Sequence, residues 1–342
     1  MTITKYAFWN NKGGTGKTSL AFQSICRFAE THPDDKILAI DLCPQANLSE
    51  LLLGGLMGQG SQNLSQLHAL NPRKSVGGYF EQRLPSPFSV PNISYSDFIC
   101  NPSTYNDILP KNIDLLAGDQ IVELQSNAIA TLANAQIPGI DTFIKVIDWI
   151  TDFINLTDNR YNYIFIDSNP SFSLYTQIAL ASVDRLIIPV MADDSSRRAV
   201  LNCFSLIHGI SVPSSSTYTP FSFPTKLKSA GRALPKVHLI VKNRLTQYMG
   251  PASAFVSVLK TIDNDIIATL ASDPSAFTFS SLSTGTTNVK DFGTTGVVAF
   301  AEGAPFSRLN IGIHTIMGRE IQIRRDYLKD CQDAIDGLIN NI

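Results

Sequence analysis

Asn10-Asn11-Lys12-Gly13-Gly14-Thr15-Gly16-Lys17-Thr18-Ser19 is the stretch whose reading decides the fold. An apolar run, Tyr6-Ala7-Phe8-Trp9, leads into it, and a helical pattern, Leu20-Ala21-Phe22-Gln23-Ser24-Ile25, leads out. A strand, a glycine-rich turn and a helix start are the context in which such a loop cradles phosphate. Glycines let backbone N–H groups turn inward, and the helix N-terminus adds partial positive charge. Gly13, Gly14, Thr15, Gly16, Lys17, Thr18 and Ser19 are therefore the expected contacts of a nucleotide. Lys17 has the reach for the β- and γ-phosphates, and the Thr18 hydroxyl is suited to hold Mg²⁺.

The ordinary pattern G-x-x-x-x-G-K-[ST] fails at its first position, which Asn11 occupies. The loop reads instead K-G-G-x-G-K-T, opened by a second lysine, Lys12. This deviant Walker A box resembles that of the ParA/MinD family of ATPases. The resemblance implies ATP and Mg²⁺ as cofactors. It also implies a homodimer closed by ATP, in which Lys12 crosses to the partner's nucleotide.

The 342 residues carry 44% hydrophobic side chains and a net charge of −2, which describes a globular chain with material for a sizeable core. The whole molecule is not polyanion-seeking, so nucleic-acid binding requires a local patch. Five scattered cysteines without a C-x-x-C pair suit a reducing cytosol and argue against zinc or iron–sulfur ligation. No secretory pattern opens the chain and no run approaches a membrane span, so a cytoplasmic location is expected.

Apolar runs at 36–42, 112–118, 161–168, 185–192, 236–243 and 297–303 read as buried parallel strands. Helical patterns lie between them, for example over 142–154. The alternation predicts an α/β fold, a doubly wound and mostly parallel sheet with the site beyond the strands' carboxyl ends. A single domain over 1–342 is expected, with loop-rich insertions near 54–111 and 209–235, the latter holding Ser214-Ser215-Ser216. Residues 272–296, rich in Ser, Thr and Gly, read as another long loop.

Asp41 ends the second strand 24 residues after Lys17, followed by Leu42-Cys43-Pro44-Gln45-Ala46-Asn47. This resembles the family's D-x-D-P-Q-x-N box. A carboxylate at a parallel strand's end points into the crevice, where Asp41 can orient or activate the attacking water. Cys43 replaces the second aspartate, which puts a Mg²⁺ role for that position in doubt. Tyr163-Ile164-Phe165-Ile166-Asp167-Ser168-Asn169-Pro170-Ser171 resembles the Walker B strand, with Asp167 as a Mg²⁺ ligand beside Thr18 and Asn169 in place of a proline. Asn243 corresponds to the family's adenine-reading asparagine, or serves as a cap or turn residue.

From Ser195 to Ile262 there is no Asp or Glu, while Arg197, Arg198, Lys226, Lys228 and Arg232 fall there; Arg319, Arg324 and Arg325 form a second basic group. The family resemblance implies that such a face binds DNA without sequence preference. The bland alternative is a solvated surface whose acidic complement comes from elsewhere in the fold, and Arg197-Arg198 can instead lie at a dimer interface. The polar face of the C-terminal helix shows Asp330, Asp333 and Asp336, which anionic lipid repels, so this helix is expected to pack on the core rather than on a membrane.

These readings point to a ParA-like ATPase that segregates plasmid, chromosome or other cargo over the nucleoid. Its partner would be a ParB-like or cargo-adaptor protein that stimulates hydrolysis. The alternative is a MinD-like ATPase positioning a partner at a membrane or protein surface. A nitrogenase-reductase-type carrier lacks its cysteines, and an amide-forming synthetase needs a further domain that this length does not allow.

Overall fold

A computed structural model of the chain describes residues 3–213, 215–245 and 253–342; Ser214 of the serine run lies outside them. Eight strands form one sheet: β1 (Thr4–Phe8), β2 (Ile37–Leu42), β3 (Ile99–Cys100), β4 (Ile113–Leu116), β5 (Tyr163–Ser168), β6 (Arg185–Val190), β7 (Lys236–Leu245) and β8 (Thr286–Lys290). Their order is β3-β4-β2-β5-β1-β6-β7-β8. Every neighbouring pair is parallel except β3–β4. The chain builds β2 to β5 on one side of β1 and then crosses to β6 on the other, so a crevice opens at the carboxyl end of β1.

Side chains along a strand alternate between faces, so a wholly apolar strand feeds two cores. Tyr6, Phe8, Ile37, Ala39 and Phe165 face one cluster; Ala7, Trp9, Leu38, Ile40, Ile164 and Ile166 face the other.

Helices cover both faces. In chain order the first are α1 (Lys17–Thr31), α2 (Asn47–Leu52), α3 (Gly60–His68), α4 (Val76–Arg83) and α5 (Ile121–Ala133). Then come α6 (Thr142–Ile147), α7 (Trp149–Leu156), α8 (Leu174–Ala181), α9 (Asp194–His208) and α10 (Phe223–Ser229). The last are α11 (Ser253–Ser272), α12 (Leu282–Gly285), α13 (Gly293–Glu302) and α14 (Arg325–Ile339). α1 buries Leu20, Ala21, Ile25, Phe28 and Ala29 against the first cluster and stops at His32, ahead of Pro33. Burying one such large side chain contributes roughly 1.5–3 kcal/mol, so Phe28→Ala costs about 3–5 kcal/mol and loosens the helix that carries the loop.

Three expectations are corrected. The run 297–303 is helix α13 rather than a strand: Gly303, at φ 60°, closes it, and its N–H bonds the Phe300 carbonyl. The apolar string Val297-Val298-Ala299-Phe300-Ala301 has no polar member to reveal its period, so sequence alone does not separate buried strand from buried helix. The last strand is instead β8, Thr286-Thr287-Asn288-Val289-Lys290, inside the stretch read as a loop, where its polar residues suit a sheet edge. The segment 142–154 is likewise two helices, α6 and α7, meeting at Asp148.

A separate antiparallel ribbon, β9 (Gly312–Ile316) and β10 (Arg319–Ile323), precedes α14. Arg319 thus lies on a strand, and Arg324 is the cap of α14. α14 spends its apolar face, Leu328, Cys331, Ile335, Leu338 and Ile339, on the core. Among the described residues no helix is long and apolar enough to cross a membrane.

Candidate nucleotide site

The register of the sheet creates the site. Asp41 on β2 lies opposite Asp167 on β5, and Phe8 at the end of β1 lies opposite the same Asp167. The loop after β1 therefore starts beside Asp167, with Asp41 one strand further across. Gly14 (φ 74°) and Gly16 (φ 87°) take the left-handed backbone that only glycine adopts without strain, and Gly16 caps α1. A Cβ at Gly13 or Gly14 would meet nothing within 4 Å, so the loop's surface is open there. The amides of residues 13–16 donate to no acceptor among the described residues.

Within that frame, Thr18 Oγ1 donates to Asp167 Oδ2 at 2.6 Å. Asp167 Oδ1 is buried and has no hydrogen-bond partner among the described residues. Lys17 is buried, and its Nζ donates to the Lys12 carbonyl at 3.0 Å. Asn243 is buried, with Nδ2 donating to the Thr15 carbonyl at 2.9 Å. Thr15 is buried too, and Ser19 lines a cavity of about 510 Å³ with Thr18, Asn47 and Glu50. Loop, Lys17, Thr18, Asp167 and Asn243 are thus brought together.

Asp41 is fully buried and accepts three hydrogen bonds, from the Cys43 amide (3.1 Å), the Ser49 amide (2.9 Å) and the Ser49 hydroxyl (2.8 Å). Burial raises the Asp41 carboxyl above the usual carboxylate range, against the pull of these donors. Asp167 is raised as well, by burial first and by Asp41 second, while Thr18 and Lys17 pull it back. Burial lowers Lys17 from the ordinary lysine value, partly offset by Asp167. Cys43 Sγ donates to Gln45 Oε1 at 2.9 Å, and burial with the neighbouring carboxylates pushes its thiol up to about 12, so it is a neutral group.

Lys12 is folded back within its own chain. Its Nζ lies 2.8 and 2.7 Å from the two oxygens of Asp193 and 3.1 Å from Ser196 Oγ. Asp193 also caps α9 by accepting from the Ser196 amide. Partial burial pushes the Asp193 carboxyl up, but Lys12, Ser196 and Ser195 outweigh it and hold it at about 2.

The sequence reading missed Asn10, whose side chain donates to the Pro189 carbonyl at 2.6 Å and accepts from the Lys12 amide at 3.0 Å, anchoring the loop's first residue to β6. It also missed Ser49, which accepts from the Gly118 amide while donating to Asp41. A polar residue at the mouth of a strand was the available signal for the first; the second had none.

The basic residues divide. Arg197 pairs with Asp265 (2.6 Å), Arg198 with Asp194, Arg232 with Asp148 (2.7 Å) and Lys242 with Asp263 (2.7 Å). The acid-free stretch therefore draws its acidic complement from α9, α11 and the α6–α7 junction. Lys226 Nζ lies 4.1 Å from the centre of the Phe143 ring. Lys228, Arg319, Arg324 and Arg325 make no ion pair among the described residues.

The residues fit a bound Mg²⁺–nucleotide. Among the described residues no cluster of three or more His, Cys, Asp and Glu is placed to hold a metal. Mg²⁺ needs no such cage, since it takes one or two carboxylates and completes its sphere with phosphate and water. Thr18 and the unpartnered oxygen of Asp167 are the groups that would supply the protein's share.

Comparison with known proteins agrees with this geometry. A family described as AAA domain matches residues 3–213. The chain belongs to that family, with the P-loop of the ParA/MinD type. An uncharacterized protein of Mycobacterium tuberculosis is 26% identical over 195 residues, covering 57% of this chain and 48% of that protein. The chain thus spans about half the length of the curated relatives it matches first. Among solved structures, apo McdA of Cyanothece superposes with a TM-score of 0.63 at 13% identity over 99% of both chains. An aspartate-to-alanine variant of McdA in complex with ATP gives 0.60 at 13% over 98% and 96%. A plasmid partition protein from Borrelia burgdorferi gives 0.53 at 15% over the full length of both. At these identities the likeness is one of fold, that of a ParA-like P-loop ATPase with a mostly parallel sheet.

Proposed function

We propose that this chain, as one ATPase domain, binds ATP with Mg²⁺ in the glycine loop and hydrolyses it slowly. The observation that carries this is the Thr18–Asp167 bond at 2.6 Å, which leaves Asp167 Oδ1 buried and unpartnered under a loop of unused amides. The loop amides and Lys17 hold the phosphates, Thr18 and Asp167 hold Mg²⁺, and the Asn243 amide reads the adenine. Mg²⁺ bound there offsets charge on the β- and γ-phosphate oxygens. Asp41, raised by burial toward neutral pH, orients the attacking water and accepts its proton. Isothermal titration should give Mg²⁺-dependent ATP binding, lost in Lys17→Ala and weakened only in the presence of Mg²⁺ in Asp167→Asn. Undiminished binding by Lys17→Ala would overturn the assignment.

On this reading two copies close face to face on ATP, each Lys12 leaving Asp193 for the partner's nucleotide. The closed dimer binds duplex DNA and moves plasmid, chromosome or other cargo over the nucleoid, released when a ParB-like or adaptor protein speeds hydrolysis. Support comes from the P-loop type and from Lys228, Arg319, Arg324 and Arg325, which make no ion pair among the described residues. Closing the dimer doubles the phosphate contacts on one surface, and log affinity falls with log salt by about 0.9 per contact. Anisotropy with a labelled random duplex should therefore show steep, salt-sensitive binding in ATP and weak binding in ADP. Equal affinity in both nucleotides would remove the switch.

A further inference from the structure

The β9–β10 ribbon stands apart from the main sheet. Its inner side is fixed. Ile316 and Ile323 are buried in the core, Ile321 packs against it, and His314 Nδ1 lies 2.6 Å from Glu302 at the end of α13. Met317 (φ 49°) and Gly318 (φ 78°) make the left-handed pair of a tight two-residue hairpin loop.

The outer side serves none of this. The register sets Ile313 opposite Gln322 and Thr315 opposite Glu320. All four are exposed, Ile313 at 65%, and Met317 at the tip at 77%. The side chains of Thr315, Glu320 and Gln322 make no hydrogen bond or ion pair among the described residues. Arg324 and Arg325 follow directly on β10 and make no ion pair among the described residues, whereas Arg197, Arg198, Arg232 and Lys242 are held by aspartates.

We propose that the outer face of β9–β10 enters the major groove of duplex DNA and reads base edges, adding a sequence preference to the phosphate binding. The proposal rests on the DNA-binding reading above. A two-stranded ribbon fits the major groove, about 12 Å wide. Five residues at about 3.3 Å each span roughly 17 Å, on the order of five base pairs. Gln322 can pair with adenine N6 and N7, Glu320 can accept from cytosine N4, and Ile313 and Thr315 can contact thymine methyls. Arg324 and Arg325 then meet the phosphates, which position the ribbon without specifying sequence. Glu320 decides against a lipid surface. A carboxylate in the centre of the docking face is repelled by anionic headgroups, but it has a donor to meet on a base edge.

The test is selection from a pool of short random duplexes by the full chain with Mg-ATP. Variants are Glu320→Ala/Gln322→Ala and Arg324→Gln/Arg325→Gln, all at exposed positions, with thermal melting as the control for folding. The wild type should enrich a short motif containing cytosine and adenine, each wrong base costing roughly tenfold. Glu320→Ala/Gln322→Ala should bind the unselected pool like wild type and lose the motif. Arg324→Gln/Arg325→Gln should keep the motif and bind all duplexes more weakly, its salt slope shallower by about 0.9 per lost contact. Methyl green in the major groove should compete, and netropsin in the minor groove should not. Binding of the pool without enrichment, or a motif that survives Glu320→Ala/Gln322→Ala, would overturn the ribbon proposal while leaving DNA binding intact. Failure to bind any duplex at low salt in ATP would instead sink the DNA reading, and this proposal with it.

Discussion

Asp193→Asn should tighten the ATP-driven dimer. In the structure the lysine expected to cross between protomers is held at home, with Nζ 2.8 and 2.7 Å from Asp193 and 3.1 Å from Ser196 Oγ. The Lys12 and Asp193 side chains are 25% and 38% exposed, so solvent screening limits the pair to the range of surface ion pairs, about 0.2–1 kcal/mol. Two-point contact and the added hydroxyl favour the upper end. Asparagine caps a helix about as well as aspartate, so the start of α9 is kept and only the charge is lost. Two lysines are freed per dimer, about 2 kcal/mol in all, or a roughly 30-fold lower dissociation constant. With Asp193 held at about 2, its ion pair contributes stability above the unfolded aspartate value near 3.9 and loses it only as pH falls through about 2. Lowering the pH within the working range therefore does not mimic the substitution. The assay is sedimentation equilibrium over a concentration series in Mg-ATP and in ADP. A dissociation constant for Asp193→Asn equal to or weaker than wild type would refute the idea that Asp193 restrains Lys12.

Three further outcomes follow from the same geometry. Asp41→Ala should cut single-turnover phosphate release by roughly 10²–10⁴ while ATP still closes the dimer, and should lower stability by about 1–3 kcal/mol, because the Ser49 and Cys43 amides lose their acceptor. Unchanged phosphate release would end the role given to Asp41. Gly16→Ala should abolish ATP binding in titration, since a Cβ would stand 2.3 Å from Asn243 Nδ2 at a φ of 87°. The buried His208, lowered to about 4 by burial first and by Lys228, should make stability rise with pH from about 4 to about 6.5, because only the unfolded imidazole takes up a proton there. Urea melts at about pH 4.5 and about pH 7.5 should show wild type losing roughly 2–3 kcal/mol relative to His208→Phe at the lower pH; parallel curves would contradict this.

What the sequence disclosed was what local pattern can encode. The loop, Asp41 and Asp167 each end a strand, and strand ends of a parallel sheet converge on one crevice whatever the intervening chain does. Gly13 to Thr18 could be read because their spacing is itself the geometry. Asp193 was not legible as the partner of Lys12, because that pairing joins residues 181 positions apart. The pairing of Arg197 with Asp265 and of Lys242 with Asp263 was hidden for the same reason. Absence of acid along a segment says nothing about which helix folds over it. The exchange of strand and helix between 286–290 and 297–303 has another cause. β8 is an edge strand and shows polar residues, while the run 297–301 within α13 is wholly apolar, so composition pointed the wrong way on both.

Cys43 ties the electrostatics of the site together. It stands where the resemblance leads one to expect a second carboxylate, and its thiol, pushed up to about 12, carries no charge at neutral pH. Buried in this pocket are then two carboxylates, Asp41 and Asp167, and one ammonium, Lys17. Each of the two acids is already raised by burial, and Asp167 also by Asp41. A third carboxylate between them would raise both further, since like charges in a desolvated pocket oppose each other's ionisation. Asp41 would then take up the proton that its proposed role requires it to lack. The thiol avoids this and still donates to Gln45, holding the turn between β2 and α2, the helix from which Ser49 reaches back to Asp41. On the proposed reading, the departure from the box would leave metal binding to Thr18 and Asp167, and keep Asp41 closer to the ionised form that can accept a proton from water.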